Sequence, residues 1–204
     1  MKREFKKKKR NSANRNPKPV ILIIAEGKNV TETVYFNSFQ NQHSRYSIRI
    51  LSVGHETDPQ NMLMRIEDFW KKQELKAENG DRAFVVLDLD CDDKKADLIK
   101  KLSQKSTNTR FIVSNPCFEV WFLLHFRYST HSYLNSNEVI ADLKSYIPNY
   151  EKTTDISCKI INNIDIAIDN AFKLKSYYDS LERKWPSNDC NPRTDVPIII
   201  DYFM

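Results

Sequence analysis

Glycine is scarce in this chain: Gly27, Gly54 and Gly80 are the only three in 204 residues. Each falls where the hydrophobic pattern breaks, so a turn is expected at all three. Cysteine is scarce too. Cys91, Cys117, Cys158 and Cys190 lie far apart and form no C-x-x-C pair. That argues against a zinc site and fits four reduced thiols of a cytoplasmic protein. No apolar run exceeds about six residues, well short of the roughly 20 that cross a bilayer, so no membrane partner is expected. Residues 1–19 hold no apolar signal region, so secretion is not expected either. The chain starts Met-Lys and its last four residues lack cysteine, which speaks against myristoylation and prenylation. No G-x-x-x-x-G-K-[ST] run and no G-x-S-x-G occur, setting aside a P-loop and a serine-hydrolase elbow.

What is present suits one sizeable core. The composition, 40% hydrophobic and 29% charged, is that of a globular protein. The net charge is +5 but unevenly spread. Lys2 and Arg3 lead into Lys6, Lys7, Lys8, Lys9 and Arg10, and Asn, Ser and Pro then continue to Pro19. Residues 1–19 are expected to be a disordered basic arm. Its cations suit a nucleic-acid backbone through counterion release, the alternative being a solubilising tail.

Periodicity predicts an alternating order of strands and helices. Val20–Ala25 reads as a strand, and a helix is expected from Thr31 with Tyr35, Phe36 and Phe39 on its apolar face. Tyr46–Val53 reads as a second strand. Asp58 followed by Pro59 reads as an N-cap, with the helix reaching about Ala77. Arg82–Leu87 is the third strand, 92–104 a charged helix and Thr109–Ser114 the fourth strand. This order implies a right-handed parallel α/β layer. The expected organisation is the arm at 1–19, an α/β core at 20–116 with about four parallel strands flanked by helices, and a mainly helical extension at 117–204. In that extension helices are expected near 117–126, 136–146 and 158–182, and Val196–Ile200 reads as an extended run or a helix start.

The chemistry is expected at the strand ends. The first strand stops at Glu26-Gly27, and the third at Asp88-Leu89-Asp90, with Asp92 and Asp93 beyond. In open α/β sheets ligands bind outside the carboxyl ends of the strands. Alternate residues of a strand face the same side, so Asp88 and Asp90 can point together while Leu89 points away. Glu26, Asp88 and Asp90 on one rim would be a repulsive set of hard oxygen ligands unless Mg²⁺ or Mn²⁺ neutralised it. Solvated strand-end acids are the plainer reading. Glu32 follows the Gly27 turn, whose Lys28 suits a phosphate, with Thr31 or Asn29 as a cap. Ser114-Asn115-Pro116-Cys117-Phe118-Glu119 leaves the fourth strand on the same rim. There Asn115 is a candidate phosphate contact, Pro116 fits the first helical turn, and Glu119 is a further acid or one arm of a salt bridge. His125 reads as a satisfied core histidine. The aromatics Tyr35, Phe36, Phe39, Trp70 and Trp121 read as core rather than as base-stacking platforms.

Three segments together resemble the RloB family. They are Glu26-Gly27 with Thr31-Glu32 and Tyr35-Phe36, the strand ending Asp88-Leu89-Asp90, and the block Asn115-Pro116-Cys117-Phe118-Glu119-Val120-Trp121. The tail from Asn191 to Val196 is similar to that family's C-terminal segment. The resemblance covers about 20–200. It implies a Toprim-like fold in which Glu26, Asp88 and Asp90 bind Mg²⁺ and act on nucleic acid. It also implies a setting in phage defence, beside restriction-modification or abortive-infection systems, with a partner subunit encoded nearby and room for an oligomer. Two readings follow. One is a Mg²⁺- or Mn²⁺-dependent nuclease with Glu26 as general acid/base or ligand, Asp88 and Asp90 as ligands, Glu32, Asp92 and Glu119 as additional acids, and Lys28 and the arm on phosphates. The other is a non-catalytic nucleic-acid-binding or regulatory subunit that keeps the fold.

Overall fold

A computed structural model describes residues 18–26, 31–40, 45–51, 53 and 58–204. The first strand, β1 (Val20–Ala25), is a continuous apolar run with every residue buried, as expected for a strand covered on both faces. It lies between β2 (Ser47–Leu51) and β3 (Arg82–Asp88), and β4 (Thr109–Asn115) follows on the far side of β3. These four strands are mutually parallel in the order β2-β1-β3-β4. A fifth, β5 (Arg193–Thr194), pairs antiparallel with the end of β4.

The period-two pattern of the strands divides the interior into two cores. Ile21, Ile23, Phe84, Val86 and Ile112 face one way. They meet Tyr35 and Phe36 of α1 (Thr31–Asn37), Trp121 of α4 (Glu119–Leu124) and Leu174 of α7 (Ile164–Ser180). Leu22, Ile24, Val85, Leu87 and Val113 face the other way, against α2 (Pro59–Lys72) and α3 (Asp93–Lys105). The C-terminal part therefore shares a core with the sheet and also supplies its last strand. The aromatics Tyr35, Phe36, Phe39, Trp70 and Trp121 are buried, in keeping with a packing role.

Most expected elements are present, with three differences among the helices. The helix begun by the Asp58 cap ends at Lys72, because Glu74 turns into the left-handed region at φ 52°. The helix expected at 117–126 is shorter, Glu119–Leu124, and Pro116 stands ahead of it rather than in its first turn. The expected 158–182 helix is broken into α6 (Ser157–Ile160), a 3₁₀ turn at Ile161–Asn163 and α7. Asn162 and Asn163 at the break favour turns over helix interiors. The Val196–Ile200 tail forms a short helix, α8 (Pro197–Ile200), with Pro197 in its first turn. Helix α5 (Ser136–Leu143) stands near its expected place. The turns expected at Gly27 and Gly54, the cap at Asn29 and most of the basic arm lie outside the described residues. Gly80 does make the turn into β3, at φ 88°.

Asp81 anchors the opposite end of the sheet from the candidate acids. Its carboxylate accepts the Val20 N–H at 2.7 Å and the Lys76 N–H at 2.8 Å, and the residue is buried. Asp81→Ala strands two amide donors. It is expected to cost about 2–4 kcal/mol, since each orphaned buried group costs about 1–3 kcal/mol. Urea denaturation measures this, and a loss under about 0.5 kcal/mol would contradict the anchoring role.

Candidate functional site

The parallel register brings two acids to one rim. Glu26 directly follows β1, and its N–H donates to Val86 O at 2.9 Å, so it still belongs to the ladder. Asp88 is the last residue of β3, paired in register with Ser114 of β4. The two acids touch: Glu26 Oε2 accepts the Asp88 backbone N–H at 3.1 Å.

The chain then makes a tight turn. Asp90 and Cys91 both adopt left-handed backbone, at φ 57° and 59°. The turn is pinned by Leu89 N–H to Ser114 O at 2.7 Å and Asp90 N–H to Pro116 O at 2.9 Å. Asp90 has thus left the strand, so strand alternation does not place it beside Asp88. The Asp88 carboxylate turns inward while Asp90 stays on the exposed lip. Lys95, in the first turn of α3, ties the lip to the rim. Its Nζ donates to Glu26 Oε1 and Oε2, each at 2.9 Å, and to Asp90 Oδ2 at 3.0 Å.

Beneath this ion pair lies a buried nest of acids. Asp88, Glu32 and Glu119 bring their charges together there, with Asp90 and Glu26 at its edge. Glu32 sits in the first turn of α1, where the helix dipole favours an anion. Glu119 opens α4 and is almost fully buried; its Oε1 accepts the Tyr150 hydroxyl at 3.0 Å and lies 3.8 Å from Lys152 Nζ. Thr31 holds that loop by donating its hydroxyl to Lys152 O at 2.8 Å. Two carboxylate oxygens, Asp88 Oδ1 and Glu32 Oε2, are buried and have no hydrogen-bond partner among the described residues.

The electrostatics follow from this geometry. Burial pushes the Asp88 carboxyl well above its usual range, and Glu32, Glu119, Asp90 and Glu26 push it further. Burial and then Glu119 outweigh the Glu32 backbone hydrogen bond and lift Glu32 to about 8. Burial also raises Glu26, against the pull of Lys95. Burial works against the charge of Lys95, yet Glu26 and Asp90 keep its pKa above the ordinary value. Lys152 is likewise held up by Glu119, against its own desolvation.

The structure thus brings Glu26, Glu32, Asp88, Asp90 and Glu119 to one region. Other expected site residues stand elsewhere. Asp92 is not a further acid of the nest but the N-cap of α3, its Oδ1 accepting the N–H groups of Lys94 and Lys95. Asn115 is fully buried and committed as a tie, so it is not open to a phosphate. It accepts the Cys91 N–H at 3.2 Å and donates to Cys190 O at 3.1 Å. His125 is a core histidine: Nδ1 meets Trp121 O at 2.9 Å, and burial lowers its pKa to about 4, keeping it neutral. The four cysteines are free. Lys6, Lys7, Lys8, Lys9, Arg10 and Lys28 lie outside the described residues.

Lys95, Tyr150 and Lys152 were not foreseen from the sequence. Among the described residues, no three His, Cys, Asp or Glu side chains stand ready around one point for a metal ion. Lys95 pairs with two of the relevant carboxylates, Glu26 and Asp90. A cavity of about 1020 Å³ lies at the other sheet edge, lined by residues such as Phe111, Phe172 and Trp185, and contains none of these acids.

A family model described as RloB-like protein matches residues 21–203. No curated protein matches the chain.

Proposed function

The chain belongs to the RloB-like protein family, and on that premise we propose that it is a divalent-metal-dependent nuclease that hydrolyses nucleic-acid phosphodiester bonds in bacterial phage defence. The observation that carries this reading is the pair of buried, unpartnered carboxylate oxygens, Asp88 Oδ1 and Glu32 Oε2, within the nest. A buried carboxyl without a partner keeps its proton or gives it up to coordinate a cation, and hard carboxylate oxygens suit Mg²⁺ or Mn²⁺. By donor type the residues fit such an ion, although among the described residues no three of them stand around one point. Asp88, with Glu26 and Asp90, would hold it, and Glu32 and Glu119 would add negative charge. When bound, the ion supplies Lewis acidity to a phosphodiester.

The remaining chemistry belongs to the chain. Glu26 stands between the buried nest and the open lip, with a carboxyl raised by burial. A carboxyl tuned upward exchanges protons nearer neutral pH. In place of ligating the ion, Glu26 takes the proton from water as the oxygen attacks phosphorus, or returns one to the leaving alkoxide as the P–O bond breaks. Tyr150 and Lys152 hold Glu119 in place. Lys28 and the cations of the arm, Lys6 to Arg10, are the phosphate contacts of this reading.

The ion pair of Lys95 with Glu26 and Asp90 favours a second reading, in which the fold is kept as a non-catalytic nucleic-acid-binding or regulatory subunit whose acids are neutralised internally. Purified protein incubated with end-labelled DNA and RNA in Mg²⁺, Mn²⁺ or chelator separates the two. The nuclease reading expects cutting only with metal, and a loss of about 100-fold or more in Glu26→Gln, the scale of a lost general acid or base. Cutting that survives chelation or Glu26→Gln would overturn it. Binding without cutting on every substrate would select the second reading.

A further inference from the structure

Lys95 is placed where helix physics disfavours it. It lies in the first turn of α3, three residues beyond the N-cap Asp92. The dipole there is positive and repels a cation. Its side chain is nonetheless only 14% exposed. An ammonium has three N–H donors, and its three hydrogen bonds all go to carboxylate oxygens, two on Glu26 and one on Asp90. Its neighbour Lys94 is exposed and takes part in no ion pair among the described residues. Lys94 shares that first turn, so what distinguishes Lys95 is its three hydrogen bonds to Glu26 and Asp90.

We propose that Lys95 is a built-in surrogate cation that competes with the divalent ion for Glu26 and Asp90. The inference rests on the metal reading above and adds a regulatory device to it. With Nζ within 3.0 Å of both carboxylates, a divalent ion cannot approach the same oxygens without strong repulsion, which a partly buried setting screens poorly. Metal loading therefore requires the ammonium to leave. Until it leaves, Lys95 neutralises the lip and keeps Glu26 and Asp90 from joining the buried acids around one point. The consequence is a raised metal requirement, set by one side chain. Lys95 is thus a positioning residue for the two carboxylates.

The test is Mn²⁺ binding to the full chain, read by the electron paramagnetic resonance signal of free Mn²⁺. Lys95→Met is compared with wild type and with Lys94→Met, which removes the same charge from the adjacent position. Lys95→Met is expected to bind Mn²⁺ about tenfold more tightly or better, the scale on which partners of ligating groups move metal affinity. Lys94→Met should stay near wild type, and Lys95→Arg, which keeps the charge, should show no gain. Lys95→Gln repeats the test with a polar side chain if the methionine variant does not fold. Equal or weaker binding by Lys95→Met, or an equal gain in Lys94→Met, would overturn displacement while leaving the metal site standing. No saturable binding by any of these proteins would defeat both the inference and the metal reading.

Discussion

Asp88→Asn is expected to abolish metal-dependent cleavage, by about 10³-fold or more, and at the same time to raise the melting temperature of the metal-free protein. The first effect follows from position. Asp88 ends β3 in register with β4 and cannot drift from the rim. Its carboxylate is the one that the buried acids share, and losing a charged group at a reacting centre costs about 10²–10³-fold even for a single hydrogen-bond donor. The second effect follows from burial. The Oδ1 atom has no partner among the described residues, and four other carboxylates raise the cost of its charge. Asparagine keeps the shape, stays neutral without taking up a proton and offers an N–H to its acidic neighbours. A gain of about 1 kcal/mol corresponds to a rise of about 2–4 °C for a chain of this size. Calorimetry and the labelled-substrate assay, run on one preparation, check both halves. A variant that is less stable and still cuts would show that Asp88 is a structural residue. Sites that store unfavourable charge for function characteristically gain stability when that function is removed.

The second large effect is on stability against pH. Without metal, the protein is expected to lose stability steadily as pH rises from about 4.5 to about 8, and Mg²⁺ should restore it at the upper end. Glu32 carries the sign. Its carboxyl titrates at about 8 in the folded chain against an ordinary value of 4.5. Between those values the unfolded chain releases its proton and the folded chain keeps it. The folded state then binds more protons, so stability falls with rising pH and is flat outside the window. Asp88 is shifted in the same direction and adds to the slope. Metal ligands must be deprotonated, so an ion that binds the nest reverses the penalty and expels protons. Thermal melts at pH 5, 6.5 and 8, with and without Mg²⁺, measure this. The metal-free melting temperature should drop by about 4 °C or more, which is at least about 1 kcal/mol for a chain of this size. Glu32→Gln should flatten the curve. A melting temperature that rises with pH in the metal-free protein would contradict the burial of these acids.

Much of the scaffold was legible in the sequence, because the signals were local. β1 reads as a buried strand from six consecutive apolar residues, and Asp58-Pro59 reads as a helix start because capping is set by neighbours in the chain. Parallel order followed from the alternation of strands with helices. β5 escaped because two residues carry no period. The break between α6 and α7 escaped because the apolar pattern runs through it.

The candidate site was legible in its acids and not in their arrangement. Glu26 and Asp88 were placed by strand ends alone. Asp90 was expected to continue the alternation, but two left-handed residues carry it onto the lip. Asp92 and Asn115 were read as chemistry because they are polar and near the rim. Local hydrogen bonding claims both, one as a cap and one as a tie. Tyr150 and Lys152 reach Glu119 from 31 and 33 positions away, and no local pattern announces such a contact. Lys95 left no decisive signal, because Lys94 stands in the same first turn and pairs with no acid among the described residues.

Both large effects require that these acids form a divalent-cation site. Isothermal titration of Mn²⁺ into the full chain at pH 8, beside Asp88→Asn, tests it most directly. The expected result is saturable binding to the wild type, weakened about tenfold or more in the variant. No saturable binding to the wild type, or the same affinity in both proteins, would contradict it.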